Sequence, residues 1–122
     1  MIKKLKAQSL ELTRPEKEFI EKCGIVYEKR IGVPRIAGKI VGFLLISQPQ
    51  EQNLNEIQKA LEVSKGSVST MIRIIEKIGF IEKISLSGKR TAYYRITVLN
   101  DEFLKNSIDD NTEFRKLMEF GL

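Results

Sequence analysis

The stretch Ser64-Lys65-Gly66-Ser67-Val68-Ser69-Thr70-Met71-Ile72-Arg73-Ile74-Ile75-Glu76-Lys77-Ile78-Gly79 decides how the chain is read. Ser64 offers an acceptor to the free N–H groups of a helix start, and Gly79 suits the left-handed residue that follows a helix end. The spacing therefore predicts a helix over residues 65–78. At about 100° per residue, Val68, Met71, Ile72, Ile75 and Ile78 gather on one side, and Gly66, Ser69, Thr70, Arg73 and Lys77 on the other. The first side suits a core. The second is small, polar and cationic, where a solvated helix face would ordinarily carry long Glu and Lys pairs. Small side chains let a backbone come close to a partner such as a groove edge.

The residues just before this helix repeat the same grammar. Asn53 stands three positions ahead of Glu56, the spacing of a reciprocal capping box, and Leu54, Ile57, Ala60 and Leu61 form one apolar stripe. Only Glu62 and Val63 separate this helix from Ser64, so the two helices cross steeply and share a core, as in a helix-turn-helix. After Gly79 the period changes. Residues 80–86 and 91–98 are rich in β-branched and aromatic side chains, and Ser87-Gly88-Lys89-Arg90 between them supplies a hairpin tip. Tyr93 and Tyr94 fall on opposite faces, so one of them at most joins the core. Lys89 and Arg90 are placed to reach a minor groove; the plainer alternative is a solvated turn.

Toward the N-terminus, Thr13 and Glu16 form a second capping box with Pro15 in the first turn, opening a helix over 14–30 on Phe19, Ile20, Cys23, Val26 and Tyr27. Gly32-Val33-Pro34 breaks it. Residues 35–47 are apolar almost all round and predict a central, buried helix, in which Gly38 and Gly42 allow another helix to pack closely. Residues 48–52 read as a polar loop. Residues 1–12 read as loosely held, either disordered or a short helix, with no long apolar core behind Lys3, Lys4 and Lys6 to make a signal peptide. Asn100 is expected to cap a C-terminal helix bearing Phe103, Leu104 and Ile108. Asp109-Asp110-Asn111 is a weak point before a last helical segment, 112–120. The many apolar groups of that segment suit packing on another subunit.

Composition narrows the function. The chain has 122 residues, 42% hydrophobic and 30% charged, which fits one globular domain. Its formal charge is +5, and residues 64–95 alone hold seven basic residues against two acids (7 − 2 = +5), whereas residues 100–122 hold three against six (3 − 6 = −3). Positive charge is thus concentrated on the helix and hairpin already singled out, as a footprint for phosphates would be. There is no His and a single Cys23, so internal disulfides, the usual zinc sites and Ser-His or Cys-His nucleophiles are excluded. No enzyme activity and no cofactor are expected, and the lone thiol suits a reducing cytoplasm. The longest apolar run, residues 40–46, is far short of the roughly 20 residues a membrane span needs.

The strings Pro34-Arg35-Ile36-Ala37-Gly38-Lys39-Ile40-Val41-Gly42, Ser64-Lys65-Gly66-Ser67-Val68-Ser69, and Gly88-Lys89-Arg90 leading to Tyr93-Tyr94 resemble the MarR-type winged-helix transcription regulators, and look most like their GbsR-like branch. The resemblance implies a homodimer whose recognition helices enter successive major grooves of a pseudo-palindromic operator, with wings on the flanking minor grooves. It also implies repression and, in some members, a small-molecule effector. Two departures stand out: Glu62 where a Gly is common, and an end at Leu122 where members of that branch continue into long dimerisation helices. The fold expected is mainly α with a small antiparallel β-hairpin, a winged helix-turn-helix over 13–99 with flanking helices, and 100–122 as a candidate dimerisation element. For DNA, Lys65, Lys77, Lys89 and Arg90 are read as phosphate contacts, Gly66 as the point of close backbone approach, and Ser67, Ser69, Thr70 and Arg73 as facing base edges. The rival reading is a winged helix used for protein assembly, with an incidental basic face.

Overall fold

The computed structural model describes residues 11–110, with side chains through Lys105. The elements run α1 (Arg14–Ile31), α2 (Arg35–Ile46), β1 (Gln52–Asn53), α3 (Leu54–Leu61), α4 (Lys65–Ile78), β2 (Ile81–Ser85), β3 (Ala92–Ile96) and α5 (Val98–Asp110). This is the mainly helical winged helix-turn-helix expected from the sequence. Both predicted capping boxes are formed. Thr13 and Glu16 exchange bonds of 3.3 and 2.8 Å, and Asn53 and Glu56 bonds of 2.9 and 2.8 Å, which satisfies N–H groups that a helix start leaves over.

The foundation is the contact between α1 and α2. A Cβ on Gly38 would lie 2.8 Å from the Tyr27 Cβ, 2.9 Å from the Cys23 carbonyl oxygen and 2.9 Å from the Gly24 Cα; one on Gly42 would lie 2.9 Å from the Cys23 Cβ. The two helices therefore approach more closely than any side chain at these positions allows. Around that seam Phe19, Ile20, Cys23, Ala37, Ile40, Val41 and Leu44 form a core with Ile57, Val68, Ile72 and Ile75 from the helix-turn-helix. Burial pushes the Cys23 thiol far above its ordinary pKa, so it behaves as a small apolar side chain.

Three local features differ from the sequence reading. Gln52, read as the end of a loop, and Asn53, read as a helix cap, also form β1: they pair with Tyr94 and Tyr93, so the wing is a three-stranded antiparallel sheet of order β1-β3-β2, not a two-stranded hairpin. A further edge bond runs from the Ile96 N–H to the Gln50 Oε1 at 3.2 Å. These partners cover the edge that β3 would otherwise leave open. The long wing strands are also shorter than expected, at five residues each.

The third difference is at α5. Asn100 does not cap it, because the helix begins at Val98 and the Asn100 N–H donates to Thr97 Oγ1 at 3.3 Å. Thr97 also donates from its hydroxyl to the Gly79 carbonyl at 2.5 Å, which ties the end of α4 to the start of α5. Asn100 is instead fully buried, its Oδ1 accepting from the Tyr27 hydroxyl, beside a cluster of Tyr27, Phe80 and Phe103 with centroids 4.7–5.5 Å apart. α5 runs through Asp109 and Asp110, so no break occurs before that point. Residues 1–10, expected to be loosely held, and 112–120, expected to form a last helical segment, lie outside the described residues. Leu12 packs on the core.

The turn between α3 and α4 has one costly residue. Glu62 sits in the left-handed region, at φ 56° and ψ 45°, with its N–H bonded to the Gln58 carbonyl at 2.9 Å. Such a conformation strains any residue with a Cβ. Glu62→Gly is expected to raise the unfolding free energy by about 0.5–1 kcal/mol in a denaturant titration, strain relief outweighing the added freedom of the unfolded chain. Gly38→Ala acts in the opposite sense. Its methyl meets backbone that cannot give way, so a net loss of about 1–2 kcal/mol is expected despite the better helix propensity. An unchanged or higher midpoint for Gly38→Ala would remove the close α1–α2 approach as the foundation of the fold.

Candidate nucleic-acid interface

The helix that carries most of the candidate residues is held by its own punctuation. Ser64 Oγ accepts from the Ser67 N–H at 3.1 Å, and Gly79, at φ 102°, returns its N–H to the Glu76 and Ile75 carbonyls. Both ends therefore stand where the sequence placed them. Its rotation is set by Val68, Ile72 and Ile75, buried in the core, with Met71 and Ile78 half-buried at the margins. That rotation turns Lys65, Gly66, Thr70, Arg73 and Lys77 fully outward and leaves Ser69 half-buried.

Ser67 stands apart from the group. It is half-buried, and its hydroxyl lies 3.0 Å from that of Ser64, so it takes part in the start of the helix. Gly66 is the reverse case. A Cβ there would meet nothing within 4 Å, so the protein's own packing gives no reason for a glycine. At the wing tip the Lys89 N–H closes a turn onto the Leu86 carbonyl at 3.0 Å, and Gly88 takes φ 76°. This turn leaves Lys89 and Arg90 exposed.

Carboxylates neutralise some of the described cations and leave others single. Arg14, Arg35, Lys39 and Arg95 have carboxylate partners within 4 Å: Glu18, Glu28, Glu21 and Glu82 respectively. Of the seven basic residues counted in 64–95, Arg95 is thus neutralised across the β2–β3 pair, at 2.7 Å. Lys65, Arg73, Lys77, Lys83, Lys89 and Arg90 enter none of the ion pairs among the described residues, and all six are exposed. Lys83 is the member of this set that sequence reasoning passed over. It pairs in register with Tyr94 on β3, so both side chains stand on the same sheet face, and with Ser69, Arg73 and Glu76 they line a cleft of about 230 Å³ between α4 and the wing. The strand alternation that separates Tyr93 from Tyr94 could have shown it. Tyr94 is the tyrosine of the pair that is buried. Burial first, and then the Glu76 carboxylate, hold its hydroxyl above the usual tyrosine range.

Comparison with known proteins agrees with this geometry. The profile of the MarR family matches residues 40–88, from the middle of α2 to the wing tip. The HTH-type transcriptional regulator MmpR5 of Mycobacterium tuberculosis is 38% identical over 79 residues, which is 65% of this chain and 47% of that protein. The chain thus spans about half the length of the curated relative it matches. A transcriptional regulator of known crystal structure superposes with a TM-score of 0.62 at 29% identity, covering 85% of this chain and 84% of the other. The MarR family regulator Sco3205 of Streptomyces coelicolor, solved in complex with DNA, superposes with a TM-score of 0.63 at 15% identity, over 88% and 71% of the two chains. Helix order, three-stranded wing and matched sequence together make the chain a MarR-like winged helix.

Proposed function

We propose that the chain is a transcriptional regulator of the MarR family that binds double-stranded DNA. The observation that carries this reading is the set of six exposed cations, outside every described ion pair, concentrated on α4 and the wing with a single carboxylate, Glu76, left unpaired among them. A solvated surface gains by mixing its charges; a surface awaiting a polyanion keeps them single. In this reading Lys65, Lys77, Lys89 and Arg90 contact phosphates, Ser69, Thr70 and Arg73 face base edges in the major groove, and Arg73 reads guanine. Ser67 contributes through the helix start as much as by contact. The relatives described as transcriptional regulators, and the similar fold solved with DNA, support the same assignment.

The active species is proposed to be a homodimer on a pseudo-palindromic operator, acting in the cytoplasm as a repressor. Val98 and Leu99, at the start of α5, are 72% and 48% exposed, an apolar pair that a second copy would cover. The Pro34–Gly42 string, whose glycines set the α1–α2 contact, supports placing the chain near the GbsR-like branch, and a small-molecule effector would be in keeping with that placement. Among the described residues no helix is long and apolar enough to cross a membrane.

Salt separates this reading from a protein-assembly module. With four phosphate contacts per protomer, log K against log salt should fall with a slope of about −3.6 per bound protomer, and loss of Lys77 should reduce that slope by about 0.9. Lys77→Ala is expected to weaken all duplexes alike. Arg73→Ala is expected to cost about 1–3 kcal/mol on the selected site and to relax preference at one base pair. Gly66→Ala gives an independent check: the fold should gain up to about 1 kcal/mol from helix propensity while DNA affinity drops, because the added methyl stands where the duplex comes close. Affinity indifferent to salt, with Arg73→Ala and Lys77→Ala behaving alike on every sequence, would point to the assembly reading.

A further inference from the structure

The recognition helix carries one carboxylate, and its setting differs from that of Glu82 nearby. Ser69, Arg73 and Glu76 recur at i, i+4 and i+7, which places them on one stripe along the wing side of α4, and all three line the cleft that Lys83 and Tyr94 close from the sheet. Glu82 is neutralised by Arg95 at 2.7 Å. Glu76 is half-buried and its carboxylate enters none of the hydrogen bonds or ion pairs among the described residues, although two cations share its cleft. A carboxylate retained to hold a neighbouring cation in place would be expected to touch it.

An unpaired carboxylate on a face that meets phosphates weakens binding to every sequence through repulsion, unless the partner offers it a donor. The major groove offers one. The exocyclic N4 amino group of cytosine donates, and a Glu side chain accepts from it. At 1.5 Å per residue the stripe from Ser69 to Glu76 is about 10 Å long. That is roughly three base-pair steps, and Glu76 stands about one step beyond Arg73. Resting on the DNA-binding reading above, we propose that Glu76 is a specificity-determining residue that accepts a hydrogen bond from the N4 amino group of a cytosine, one base step beyond the base read by Arg73. The same carboxylate penalises duplexes that present no donor there, so it sharpens discrimination while lowering affinity for non-specific DNA.

The test compares the wild-type protein with Glu76→Ala and Glu76→Gln on duplexes carrying each base at each position of the selected site, with thermal midpoints measured alongside. The wild type should prefer cytosine at one position by about 5- to 150-fold. Glu76→Ala should lose that preference, leave the position read by Arg73 unchanged and bind non-specific duplex more tightly. Glu76→Gln, equal in size and neutral, should shift the same position toward adenine, for which Gln has the matching donor and acceptor. If both variants tighten binding to all sequences by one factor with the base profile intact, Glu76 acts by repulsion alone and the proposal falls. It falls equally if only the thermal midpoint changes. A wild-type protein that binds no duplex in a salt-dependent way would overturn the DNA-binding reading itself, an outcome distinct from the other two.

Discussion

The structure depends on the rotation of one helix. Val68, Ile72 and Ile75 are buried deeply enough that α4 cannot turn about its axis without exposing them. Each side chain of that size contributes about 1.5–3 kcal/mol by leaving water. The same three contacts determine which residues look outward. The identity of the exposed face is thus a consequence of core packing.

Beneath α4 lies a second constraint. The α1–α2 seam admits only hydrogen at Gly38 and Gly42, and Gly24 meets the stems of Arg35 and Lys39 in the same way. Close packing of these helices makes a firm layer on which α3 and α4 rest. At the exit of the wing, Thr97 joins Gly79, Phe80 and Asn100 through backbone and hydroxyl bonds. Helix end, wing exit and α5 therefore meet at one point, and a displacement of α5 would be felt at the end of α4. Asn100 holds that junction by accepting from Tyr27, while its side-chain Nδ2 has no partner among the described residues.

Much of the candidate interface was legible because its determinants are local. A Ser before a helix, a Gly after it and a 3.6-residue stripe between them need no knowledge of the rest of the chain, and α4 begins and ends where they place it. The wing tip followed from Gly88 in the same manner. Ion pairing was not legible. Arg95 and Lys83 are both cations on wing strands, yet one is neutralised by Glu82 and the other stands unpaired beside Arg73. Only the register of β2 on β3, set by long-range pairing, tells them apart.

By itself, the sequence determined the helices, the N-terminal caps of α1, α3 and α4, the turn between α3 and α4 and the side of α4 that is polar, because each follows from interactions within four residues or from the spacing of apolar groups. Tertiary structure decided what depends on partners far along the chain. It recruited Gln52 and Asn53 into the sheet, moved the cap of α5 from Asn100 to Thr97 and buried Asn100 against Tyr27, 73 residues away. It also brought Glu76, Lys83 and Tyr94 around one cleft. The physical reason is that a backbone or side-chain polar group must be satisfied wherever it is buried, and which group satisfies it is known only once the chain has closed on itself.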